Sequence, residues 1–175
     1  MGWVTLTLRK KELKSEHAYY QLRDLQISRE KRQMARKKAL NTSVFQLEEK
    51  EATSGVRDTY YNDRNTINGQ ISTLRESLTA EGITDTEKTD INNQISALNN
   101  ELSQKQYDYQ QRIDEIKTYY EGEYQMIEEE AADREAELDQ EQVDVEAQME
   151  AISQEMQAVS DAISSQIQSS TIKLA

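Results

Sequence analysis

The chain has 175 residues, 35% apolar and 31% charged, and its 33 acidic against 21 basic side chains leave a formal net charge of −12. That apolar share, with a mean hydropathy of −0.93, excludes a thick globular core. The absence of cysteine excludes a disulfide framework and thiolate chemistry and fits a reducing compartment.

There is no proline and there are only five glycines, so the residues that most often end helices are nearly missing. The expected fold class is all-α: a long antiparallel helical hairpin, or coiled coil, with short extended tips. Residues 1–8 alternate Trp3, Val4, Thr5, Leu6, Thr7, Leu8, a β-prone pattern that predicts an extended N-terminal tip. No basic residue precedes this short, threonine-interrupted stretch, so neither a signal peptide nor a membrane span is expected.

The first long helix is predicted over 9–80. Leu13, Tyr20, Ile27 and Met34 form one seven-residue series. Tyr60, Ile67 and Leu74 form another, accompanied by Ile71 and Leu78. Between them the polar Asn41–Ser43 and Thr53–Gly55 interrupt the phase, which marks 41–56 as the place for a kink or turn near Gly55. Gly82 suits the positive φ that closes a helix, and Thr84 followed three residues later by Glu87 reads as a capping box, placing the turn at 81–84.

The second helix is predicted over 85–168. Its apolar stripe runs through Ile91, Ile95, Leu98, Leu102, Ile113, Ile116, Tyr120, Ile127, Leu138, Val145, Met149, Ile152, Met156, Val159 and Ile163, with a phase slip near Tyr109–Ile113 that resembles a stutter. At ~1.5 Å per residue a helix of that span reaches about 120 Å, too long for the inside of a ball. Residues 169–175, with Ile172 and Leu174, form the C-terminal tip. The tips, through Trp3, Val4, Leu6, Leu8, Ile172 and Leu174, are expected to pair with each other or add to a partner's strand, with fraying tails as the alternative.

Charge supplies an independent argument for an antiparallel fold. Residues 1–40 hold eleven Lys and Arg against four acids, whereas 121–160 hold one Arg against fourteen acids. Folding about Gly82 sets residue i opposite roughly 165 − i, so the basic stretch meets the acidic one. The same register places Phe45 by Tyr119 and Tyr120, and Tyr60 and Tyr61 by Tyr107. Exposed ion pairs contribute only ~0–1 kcal/mol each, so charge chooses orientation and the thin seam supplies stability.

Catalytic and cofactor chemistry is not expected. His17 is the only histidine, no glycine-rich phosphate loop exists, and the acidic run Glu128–Asp139 lacks the spacing of a calcium loop. No cofactor, no metal site and no membrane span are expected; the partners expected are protein subunits, as a homo-oligomer or hetero-complex. The reading is a non-enzymatic structural or adaptor subunit of a larger assembly, such as a phage virion or a bacterial secretion apparatus, cytoplasmic or incorporated in that assembly. Two alternatives stand beside it. One is a chaperone-like helical clasp, which predicts a soluble dimer that gains helix with its partner. The other is a nucleic-acid-binding hairpin acting through the basic segment 29–38, with Arg29, Arg32, Arg36, Lys37 and Lys38 on the phosphates.

Overall fold

A computed structural model describes residues 2–172. It contains two α-helices, α1 (Trp3–Ser77, 75 residues) and α2 (Asp85–Ile172, 88 residues), and no strand among the described residues. The helices pack against each other as a hairpin, in two units: Met1–Ala39 with Glu128–Ala175, here the terminal unit, and Leu40–Ile127, the turn unit.

The connection is built as the capping residues dictate. Gly82 is the one described residue with positive φ, at 87°. The Thr84 N–H donates to Glu87 Oε2 at 2.8 Å and the Glu87 N–H donates back to Thr84 Oγ1 at 3.3 Å, satisfying two of the orphan donors at the start of α2. The Thr84 N–H, together with the Thr84 hydroxyl, which donates to the same carboxylate oxygen at 2.7 Å, holds Glu87 below the usual carboxylate range. At the other side, Thr79 N–H donates to the Glu76 carbonyl at 3.0 Å, tightening the last turn of α1.

Glycine substitutions at two positions should have opposite signs. Gly82→Ala places a Cβ in the left-handed region and is expected to cost about 1 kcal/mol. Gly69→Ala, in helical conformation with nothing within 4 Å of the added carbon, should stabilise by about 0.5–1 kcal/mol. Thermal unfolding followed by circular dichroism separates the two.

The helix bounds correct several expectations. The alternating Val4–Leu8 stretch is helical, not extended, and α2 continues past 168 to Ile172. The reason is visible at Leu6, which is 8% exposed and clusters with Leu13, Ile152 and Val159. Helical spacing puts Leu6 one heptad before Leu13, and joining the seam outweighs the modest β-preference of the threonines around it. No break occurs in 41–56 either: α1 is continuous through Gly55. The Thr59 hydroxyl donates to the Gly55 carbonyl at 2.9 Å, so this weak helix former leaves its carbonyl well satisfied. Leu174 lies outside the described residues.

Candidate interaction surface

In the terminal unit the seam is apolar on only half of its α1 positions. Leu6, Leu13, Tyr20, Ile27 and Met34 recur every seven residues, and the positions four residues after the first four of them are Lys10, His17, Asp24 and Lys31. Ile27 and Leu138 are 0% and 1% exposed and cluster with Val145, while Leu13 packs in the cluster of Ile152 and Val159. Asp24 Oδ1 is enclosed without a hydrogen-bond partner among the described residues. A two-helix seam thus alternates oily layers with layers polar on the α1 side, which specifies register more than it supplies burial.

Charge pairs flank that seam on both sides. Arg9 donates to both carboxylate oxygens of Glu155 at 2.9 and 3.1 Å, and Arg23 does the same to Glu141 at 2.6 and 2.7 Å. Lys31 meets Asp139 at 2.6 Å, Arg134 reaches Glu30 at 3.1 Å, and Lys37 and Lys38 approach Glu130 and Glu128. Arg9 and Arg23 hold Glu155 and Glu141 below the usual carboxylate range, chiefly through these hydrogen bonds. The forked pairs fix the antiparallel register within one helical turn of the expected one.

A depressed carboxylate stabilises the fold above its unfolded pKa and stops doing so as pH falls through its folded value. Arg23→Gln is therefore expected to lower the thermal midpoint at pH 7, with the gap from the parent closing as pH drops below the ordinary carboxylate value of 4.5. Parallel melts from pH 7 to pH 3 test this; a gap that persists at pH 3 would point to lost packing of the arginine stem instead.

The turn unit carries a different seam. From Val56 onward the sheltered α1 positions are Val56, Tyr60, Asp63, Ile67, Ile71 and Leu74, with steps of four, three, four, four and three, and Leu78 follows four residues later, just past the helix. Two consecutive four-residue steps also occur on α2, from Lys105 through Tyr109 to Ile113. Such stutters locally unwind a supercoil. The stacked pair Tyr60–Tyr109 sits at this level, ring centroids 4.6 Å apart and 17° from parallel, beside the 2.8 Å pair of Lys105 with Asp63. The contact to Tyr60 thus comes from Tyr109, and Tyr107, expected there, is 58% exposed. Phe45 meets Tyr120 edge-on at 6.2 Å, as its register implies, and Tyr124 donates its hydroxyl hydrogen to Glu49 at 2.9 Å.

The structure places the remaining seam candidates as follows. Ile67, Ile71, Ile113, Tyr120, Leu138, Val145, Ile152 and Val159 are buried. Tyr60, Leu74, Leu78, Ile91, Ile95, Leu98, Leu102, Ile116, Ile127, Met149, Met156 and Ile163 are half-buried. Of the tip residues, Leu6 is occupied in the core and is not available for docking, whereas Val4 and Leu8 are exposed.

What sequence reasoning did not single out is the outer side of α1. Leu22 and Leu25 are each 54% exposed in the terminal unit, and Leu40, Val44 and Leu47 are exposed in the turn unit. Each group follows helical spacing, i with i+3, or i with i+4 and i+7, so each forms one apolar patch. That spacing was the available signal. Between them along α1, Arg29 and Arg36 make no ion pair among the described residues, and Arg32 donates only to the carbonyl of Ser28 at 3.1 Å. On α2, the exposed Glu129 and Asp133 likewise have no cationic partner among the described residues.

No group of three or more His, Cys, Asp or Glu converges as a metal site among the described residues, and no helix is long and apolar enough to cross a membrane. The concavities are open grooves along the seam, such as one of about 430 Å³ beside Tyr19, Tyr20 and Ile152. No protein-family model, curated protein or solved structure matches the chain.

Proposed function

We propose that this chain is a non-enzymatic structural or adaptor subunit that works through the outer faces of its hairpin, held in a larger assembly by protein–protein contacts. The observation that carries this reading is the solvent-facing patches of Leu22, Leu25, Leu40, Val44 and Leu47 on α1, opposite a seam that already has its own apolar set. Large apolar side chains grouped, within each unit, on a side of α1 that the internal seam does not use are the mark of a binding surface. The half-polar seam argues in the same direction, because so thin a core gains from further burial on docking.

Glutamate at Leu22, Leu25, Leu40 and Leu47 together tests the reading. The expected result is retained helix content by circular dichroism with loss of the complexes that the parent forms when affinity-purified from its native source. Retention of every complex by this variant would overturn the proposal.

A further inference from the structure

We infer that the partner of the terminal unit's outer α1 face is the outer α2 face of a second copy of this chain, a deepening of the function proposed above that rests on it. The exposed residues Ala18, Leu22, Leu25, Arg29, Arg32 and Arg36 succeed one another at steps of four, three, four, three and four, a second heptad stripe turned away from the internal seam. On α2 the exposed Glu129, Asp133, Ala136, Gln140, Val143 and Ala147 do the same. Laid antiparallel in the register of roughly 165 − i that the chain already uses internally, the two stripes match layer by layer. Ala18 meets Ala147, Leu22 meets Val143 and Leu25 meets Gln140. Beyond them Arg29 lies over Ala136, Arg32 faces Asp133 and Arg36 faces Glu129.

Two features choose a second copy over other occupants. The arginines and acids in these stripes have no ionic partner among the described residues, so their opposite signs are unspent on both faces of one chain. Each stripe is more apolar toward one end and charged toward the other, and the antiparallel register sets Ala18 and Leu22 on Ala147 and Val143 and sets Arg32 and Arg36 on Asp133 and Glu129, with the mixed layers Leu25–Gln140 and Arg29–Ala136 between them. A nucleic acid would use the arginines but leave Leu22 and Leu25 without a role, against a chain of net charge −12. Because the face on α1 differs from the face on α2, the contact is heterologous, and each copy offers one of each.

The chain has no cysteine, so introduced thiols report cleanly. Mixing full-length Leu22→Cys protein with Val143→Cys protein under mild oxidation should give a disulfide-linked dimer of the two variants in large excess over either homodimer. Charge reversal gives the second measurement. Arg32→Glu alone and Asp133→Arg alone should each shift native mass toward monomer, by at least tenfold weaker association, and the single-chain double reversal should restore it. All variants are checked for parental helix content.

Association unaffected by either reversal, or failure of the double variant to recover, would overturn the inference. So would a monomeric parent at all concentrations, or salt-sensitive retention of a DNA duplex that follows Arg32 and is indifferent to Asp133. A monomeric parent that still enters complexes through Leu22 and Leu25 would sink self-association alone and leave the adaptor reading standing.

Discussion

Ile27→Ala and Leu138→Ala should each destabilise the hairpin by about 2–4 kcal/mol, the range for emptying a well-packed aliphatic site. Both side chains are essentially closed to solvent and belong to one cluster with Val145, flanked by Tyr20 and Met149. Since domains keep only about 5–15 kcal/mol in total, either change removes a large share. The two should not add: once Ile27 is gone its neighbour has lost part of what it packs against, so the double variant should fall short of the sum. Urea melts of the four-member cycle measure this, with Leu47→Ala, at a residue 68% exposed, expected within about 0.5 kcal/mol of the parent. Equal losses at Ile27 and Leu47 would show that stability does not reside in the seam.

Asp24→Leu should act in the opposite direction and raise stability by about 1–3 kcal/mol, because an enclosed acceptor without a hydrogen bond carries its full desolvation cost. Tyr20 and Ile27 occupy the turns on either side of it, so a leucine would extend an existing stripe. The same change should blur the pairing register, since polar residues in a seam penalise slipped alignments. Paired spin labels on α1 and α2 of the terminal unit provide the check: the parent should give one narrow distance, and the leucine variant a broader or second one. A stabilised variant with an unaltered distance would mean that the forked pairs of Arg9 and Arg23 alone set the alignment.

Much of this architecture is legible in the residues, and the reasons differ from place to place. Gly82, Thr84 and Glu87 act locally, over a few residues, and local chemistry is what a sequence displays most directly. The antiparallel register is also legible, because two blocks of opposite charge and the lone Phe45 each independently select the same fold-back. The N-terminal tip was not, because Val4–Leu8 satisfies two periodicities at once; only Leu6's place beside Val159 decides between them. The two-residue difference between Tyr107 and Tyr109 comes from the stutter, which advances the sheltered face by a step that a constant seven-residue repeat does not contain. The outer patches were hidden by their neighbours. Arginines share the stripe with Leu22 and Leu25, so the apolar signal along it is diluted below that of the seam.

The fold-back at Gly82 also dictates an order of events during synthesis. Residues beside the turn find their partners within a few dozen positions, whereas Leu6 must wait for Val159, almost the whole length of the chain later. Loop closure favours the near pairs, so folding should zip outward from the turn and reach Leu6 last. Until then the cationic first segment leaves the ribosome with its oily side uncovered, the interval in which a chaperone, or a neighbouring nascent copy, has its opportunity to bind.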